Sequence, residues 1–283
     1  MSDKEDDMSD KPQLGAEQNE QYTHRQSKVM TRALTQRRAA THAAFFTPYL
    51  RTGMSVLDCG CGPGSITIDF ADIVAPSEVV GVDIVEMDLE QARANANARG
   101  IANIRFERAD IYELPFPDNT FDAVFSHAVV EHLGDPMKAL KELYRVLRPG
   151  GVLGVRDADR AGELFWPRDN VLVDLLDIWS RLWQHNGGNP FIGRQLRSLL
   201  NDVGLKRVAA SASYECHGTS ESVQLTAEIA ASYFSETFAD QVVERGWMDR
   251  VEIENIKAAW QAWGDNPHAF WARSWCEVVG WKE

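Results

Sequence analysis

Residues Val56 to Gly64 read VLDCGCGPG. An apolar pair, Val56 and Leu57, leads into one acid, Asp58, and three glycines follow at alternating positions, Gly60, Gly62 and Gly64. Apolar residues then recur at helical spacing through Ile66, Phe70, Ala71, Ile73 and Val74. This pattern predicts a buried strand, a tight turn and a helix. Glycine belongs where the backbone takes positive φ or must come close to a ligand. The strand-to-helix join is the usual ligand crevice of a parallel α/β sheet.

The spacing also bears on the ligand. A dinucleotide fingerprint is G-x-G-x-x-G, with a pyrophosphate at the helix N-terminus. Here the pattern is G-x-G-x-G, and Ser65 stands where the third glycine of that fingerprint would be. Asp58 would repel a pyrophosphate but suits an ammonium or a sulfonium. S-adenosylmethionine is therefore favoured over a nicotinamide dinucleotide.

Strand and helix alternate beyond this loop. EVVGVD, Glu78 to Asp83, predicts a second buried strand ending in an acid, 23 positions after Gly60. An acid at that point can accept from both hydroxyls of a ribose, and Ile84 can lie against an adenine. A helix follows from about Glu86 to Arg99, stopped by Gly100. Ile104 to Ala109 is a third strand. Asp110 after it can accept from an adenine amino group or cap a turn, and Ile111 can cover the ring. PFPDNTFD is a turn, and Ala123 to Ser126 a fourth strand. Asp135-Pro136 opens a helix over Met137 to Leu147. Arg148-Pro149-Gly150-Gly151 ends it, and Val152 to Arg156 is a fifth strand. Strands separated by helices imply parallel pairing with right-handed crossovers.

VLDCGCGPG, GVD, ADIYELPFPDNTFDAVFS, VEHL and LKELYRVLRPGGVL resemble the class I S-adenosylmethionine-dependent methyltransferases, in the branch similar to the ubiquinone and menaquinone biosynthesis C-methyltransferases. The resemblance is close over about residues 22–157. It implies a Rossmann-like α/β fold: a seven-stranded, mostly parallel sheet with helices on both faces. It places two further strands near 206–214 and 270–281, ending in an antiparallel hairpin. It implies that Asp58, Gly60, Gly62, Pro63 and Gly64 flank the methionine part of the cofactor and that Asp83 and Ile84 meet its ribose and adenine. Ala109, Asp110 and Ile111 would meet the adenine, and the backbone of Ser126, His127 and Ala128 the amino end.

The remaining sequence concerns the acceptor. Two helical insertions, about 163–203 and 220–264, are expected to cap the sheet as a substrate domain, and all nine tryptophans occur from Trp166 onward. Such a pocket suits a small, apolar or aromatic methyl acceptor. The core spans about 51–160. Residues 1–20 hold seven acids and two lysines and read as a disordered tail. Residues 21–50 turn basic and predict a helical lid, from which Tyr22 could reach the cofactor. His132, His127 and His24 are the candidate bases.

The 283-residue chain carries a net charge of −13, which argues against a dedicated nucleic-acid binder. A methyltransferase of RNA or protein, or a cofactor-binding regulator without catalysis, remains the alternative reading. No apolar run reaches the length of a membrane span. The four cysteines show neither disulfide nor zinc spacing, so no metal is expected and a reducing cytoplasm fits. Oligomeric state is left open, a homodimer included.

Overall fold

The computed structural model describes residues 28–168, 170–234 and 236–283. Eight strands form one sheet: β1 (Val56–Cys59), β2 (Val79–Asp83), β3 (Ile104–Arg108), β4 (Phe121–His127), β5 (Leu147–Ala158), β6 (Leu164–Trp166), β7 (Lys206–His217) and β8 (Phe270–Trp281). The strand order is β3-β2-β1-β4-β5-β8, with β7 on the far side of β8. The first five pair in parallel. β8 runs antiparallel to both β5 and β7. The class expected from the sequence is therefore present, with one strand more.

Helices α1 (Lys28–Thr35) and α2 (Ala39–His42) precede the sheet. α3 (Ser65–Val74) follows β1, α4 (Glu86–Ala98) follows β2 and α5 (Pro136–Val146) follows β4. α6 (Asn170–His185) and α7 (Leu196–Asp202) precede β7. α8 (Ser220–Tyr233), α9 (Glu236–Glu244) and α10 (Arg250–Gly264) lie between β7 and β8.

The sheet is covered on both faces, so β1, β2 and β4 are buried along nearly their whole length rather than on alternate residues. Leu57, Val124 and Leu153 pack with Leu140 and Leu143 of α5 and Leu200 of α7. On the other face Val56, Val79 and Phe125 pack with Phe46 and with Phe70 and Val74 of α3. A separate cluster of Trp179, Trp183, Trp260, Trp263 and Trp271 joins α6, α8, α9 and α10 to the end of β8. That cluster is the cap.

The Asp135 side chain accepts the Lys138 N–H at 2.9 Å and caps the N-terminus of α5. At the other end the Lys282 ammonium donates to the carbonyls of Tyr144 and Leu147, both at 2.8 Å. Asp135→Ala should cost about 1 kcal/mol, the usual worth of an N-cap, read as a lower urea midpoint with an unchanged slope.

Two expected boundaries move. The segment after Glu163 is not helical at once. Residues 164–166 form β6, which pairs with β8 beyond the end of β5. Those β8 backbone groups would otherwise be an open edge, and Pro167 disfavours helix in the residue before it. The extended stretch of β5 also begins at Leu147, so the Arg148-Pro149-Gly150-Gly151 segment enters the strand rather than forming a free loop. The Gly150 N–H donates to the Lys282 carbonyl there.

Candidate active site

β1 delivers Asp58 and Cys59 to the carboxyl end of the sheet, and the glycine turn starts there. The three glycines serve different needs. Gly60 has φ +79°, and a Cβ on it would lie 2.1 Å from Val129 Cγ2. Gly62 has φ +51° with open space around it, and its N–H donates to Asp83 Oδ2 at 2.9 Å. Gly64 has φ +76°, and its Cβ would meet Ala92 and Phe106 at 2.8 Å. Gly64 thus lets α3 close on α4. It does not line the cavity, whereas Gly60, Gly62 and Pro63 do.

Asp58 is nearly fully buried, and its Oδ2 accepts the Thr67 hydroxyl at 2.6 Å. Burial pushes its pKa up to about 7 from 3.8, opposed by Thr67 and reinforced by the charge of Asp83. Asp83 ends β2. Its Oδ2 accepts from Gly62 and its Oδ1 from the Val85 N–H at 3.0 Å. Burial raises its pKa too, and those N–H groups oppose the rise. Each oxygen keeps a lone pair for a further donor. Ile84, 57% exposed, stands beside it. Asp110 Oδ1 accepts the Tyr112 N–H at 2.9 Å, so the acid also shapes its own turn. Ala109, Asp110 and Ile111 line the same cavity as Asp58, Asp83 and Ile84.

This donor set fits S-adenosylmethionine. The carboxylates that line this one cavity would offer acceptors to ribose hydroxyls, an adenine amino group and a cationic methionine end. Exposed Ile84 offers an apolar surface to a purine. Asp58, Asp83, Asp88 and Asp110 together would repel a pyrophosphate.

The cavity, about 460 Å³, continues past His127 and Ala128 to Glu131, His132, Arg160, Arg273 and Trp275. Ala128 takes φ +58° and its N–H donates to the Arg156 carbonyl. Ser126 is fully buried inside β4 and does not line the cavity. His127 Nδ1 lies 3.1 Å from the Arg156 carbonyl, and its Nε2 3.2 Å from Arg156 Nη1. A carbonyl only accepts and a guanidinium only donates. The ring is therefore neutral with its proton on Nδ1 and its lone pair occupied. Burial and the charges of Arg37 and Arg156 hold its pKa well below the usual value. His127 thus departs from its expected role as a base, because both nitrogens are engaged.

His132 is stacked on Trp183 of α6, with ring centroids 4.7 Å apart. Its Nε2 lies 3.6 Å from Glu131 Oε1. Burial, then Arg160 and Arg37, press its pKa down to about 3. Glu131 is itself anchored, its Oε2 accepting the Ala158 N–H at 2.8 Å. The Glu131 N–H donates to Asp157 Oδ1 at 3.0 Å. Burial and the neighbouring Glu131 raise the Asp157 pKa well above the carboxylate range.

Tyr22 and His24 lie outside the described residues. Of the segment expected to form a lid, Leu34 and Arg37 line the cavity, and the Leu34 carbonyl accepts the Ser65 hydroxyl at 2.9 Å. Arg160, Arg273 and Trp275 were not singled out by the sequence, since no motif surrounds them. The only available signal was position: Arg160 follows the fifth strand and Arg273 lies in the last. No group of three His, Cys, Asp or Glu side chains among the described residues is placed to hold a metal. None of the described helices is long and apolar enough to cross a membrane.

Sheet order, glycine turn and the acids at three successive strand ends define a class I S-adenosylmethionine-dependent methyltransferase. The methyltransferase domain family matches residues 50–202, and the chain belongs to it. An uncharacterized methyltransferase of Schizosaccharomyces pombe is 31% identical over 260 residues, covering 86% of this chain and 90% of that protein. The ubiquinone/menaquinone biosynthesis C-methyltransferase UbiE of Bdellovibrio bacteriovorus is 42% identical over 101 residues, 36% of this chain and 43% of its own. Haemonchus contortus phosphoethanolamine N-methyltransferase 2, solved with S-adenosyl-L-methionine, matches with a TM-score of 0.54 at 17% identity. That match covers 86% of this chain and 52% of the other and is a likeness of fold.

Proposed function

We propose that this methyltransferase acts on a small molecule with a flat or apolar body, held between the cofactor loop and the helical cap. One observation carries the reading: a single cavity joins the acids at the strand ends to His132 and Trp275. The far end is roofed by helices, because Trp183 of α6 stacks on His132 and Arg160 lies under Trp179 at 4.6 Å. The volume falls in the range of small-molecule sites, roughly 300–1,000 Å³.

The bound cofactor supplies an activated methyl group on a sulfonium. The protein's task is to align the acceptor atom, exclude water and manage one proton. Asp83 and Asp110 would hold the cofactor's ribose and adenine, and Glu131 fixes the backbone at Ala158 on the acceptor side of the cavity. His132 is neutral at ordinary pH. It would accept a proton only from a strongly acidic donor, such as the oxonium formed when a neutral oxygen is alkylated, and not from an ordinary ammonium.

The acceptor class is tested with methyl-labelled cofactor and a cell extract. Label should pass an ultrafiltration membrane in a small product. Label retained in RNA or protein would refute the reading.

The lid is part of the same proposal. Removing residues 1–20 should leave cofactor retention unchanged. Removing 1–35 deletes α1 and the Leu34 carbonyl that accepts from Ser65, so it should weaken S-adenosylhomocysteine binding by about 1 kcal/mol, the worth of one such bond, plus lost burial. Equal affinity of the two truncations, by calorimetry, would show that α1 does not close the site.

A further inference from the structure

The cavity is electrically divided. Asp58, Asp83, Asp88 and Asp110 stand at the cofactor end, whereas Arg37, Arg160 and Arg273 line the other. The three arginines come from separate parts of the chain: the turn after α1, the turn after β5, and β8. In a protein of net charge −13, such convergence on one cavity wall calls for a reason beyond a solvated surface.

The carboxylate paired with Arg160 sits behind the wall. Glu163 Oε1 accepts from Arg160 Nη1 at 2.8 Å, and its Oε2 accepts the Trp271 indole N–H at 3.0 Å. Glu215 Oε2 accepts the Trp275 indole N–H at 3.1 Å, and its Oε1 lies 3.7 Å from His42 Nε2. Neither Glu163 nor Glu215 lines the cavity. Among the described carboxylates at this end, Glu131 does line it, and one of its oxygens is committed to the Ala158 N–H. Glu163 therefore holds Arg160 from behind, with the guanidinium over Trp179 and Trp183. The Arg160 side chain is 8% exposed, and its buried Nε–H has no hydrogen-bond partner. A buried charged donor left unpaired is costly unless a ligand completes it. The charge of Arg37 is felt on both sides of this wall: after burial and Arg160 it lowers the His132 pKa, and with His42 and Arg273 it keeps the Glu215 carboxylate ionised against burial.

We propose that the methyl acceptor carries an anionic group, a carboxylate or a phosphate, that docks on Arg160 and Arg273, with Arg37 completing the basic wall. The proposal rests on the small-molecule methyltransferase reading and names the substrate class for it. A planar guanidinium matches carboxylate and phosphate oxygens in a fork, and such charge-assisted bonds are the strong ones. The anion would also act on the base. Neutralising Arg160 and Arg37 removes two of the influences that press His132 down, so its proton affinity rises when the acceptor arrives.

The test is calorimetric titration of the full chain saturated with S-adenosylhomocysteine, using benzoate, phenyl phosphate and benzyl alcohol as probes. At least one of the two anions should bind roughly tenfold or more tightly than the alcohol. A preference between benzoate and phenyl phosphate tells a carboxylate acceptor from a phosphate one. R160Q and R273Q should each weaken the anion by about tenfold while S-adenosylhomocysteine affinity stays within about twofold, since separate sites act nearly independently. Equal affinity for alcohol and anions, or no binding of any probe, would overturn the proposal; this comparison uses the unmodified protein and does not depend on the variants folding. Failure of the unmodified protein to bind S-adenosylhomocysteine would overturn the methyltransferase reading and the proposal with it.

Discussion

Asp58→Asn is expected to stabilise the cofactor-free protein at pH 8 by on the order of 2–4 kcal/mol and to weaken its hold on S-adenosylmethionine. The carboxyl is buried and titrates near 7 rather than 3.8. Keeping it ionised above pH 7 costs the folded state roughly 1.4 kcal/mol for each pKa unit of that rise. The acid's folded pKa is raised, so the cost is absent below about pH 4, grows as pH climbs to about 7 and is constant above. Asparagine still accepts the Thr67 hydroxyl and carries no charge to bury. Urea unfolding at several pH values should therefore show the two proteins converging in acid and separating toward pH 8. Binding should run the other way. The ionised carboxylate is the form that attracts a cationic methionine end, so wild-type affinity should rise with pH through about 7 while that of the variant stays flat. Parallel pH dependence of the two proteins, in stability and in affinity, would show that Asp58 does not titrate there.

Asp83→Ala should lower cofactor affinity by about tenfold to 150-fold, which is about 1.5–3 kcal/mol for lost hydrogen bonds to a charged acceptor. Each Asp83 oxygen already accepts one backbone N–H, from Gly62 and from Val85. The side chain thus ties the glycine turn to the end of β2 and presents its remaining lone pairs to the cavity. Removing it would deny a ribose those acceptors and loosens the loop at Gly62, whose φ of +51° is held in part by that bond. Calorimetry with S-adenosylhomocysteine measures the effect. An unchanged dissociation constant in a folded variant would remove Asp83 from the site.

Much of the cofactor half was legible because its signals are local. Asp58 and Asp83 each follow a short apolar run and Asp110 follows the alternating segment Ile104 to Ala109, and short segments of these kinds between helix patterns read as strands. Their arrival in one cavity then follows from parallel pairing, since all the strand ends point the same way. Gly64 and Ser126 were harder. Both sit inside the motifs, yet Gly64 faces Ala92 and Phe106, and Ser126 is sealed within β4. A spacing pattern records that glycine is required without recording which neighbour requires it. His127 was misjudged for the same reason: the partner that occupies both its nitrogens, Arg156, is 29 residues away.

Local pattern alone thus determined the alternation of strands and helices, the acids at their ends, the class of cofactor and the division between a cofactor half and a tryptophan-rich half. Those features depend on backbone propensity and on side chains within a few turns of one another. The acceptor end was decided by folding in three dimensions. Arg37, Arg160 and Arg273 meet because β8 inserts antiparallel beside β5 and carries position 273 across the sheet, while the cap packs Trp179 and Trp183 over Arg160. Long-range pairing leaves no period in the sequence, so charge that is scattered along the chain becomes one wall only once the sheet has closed.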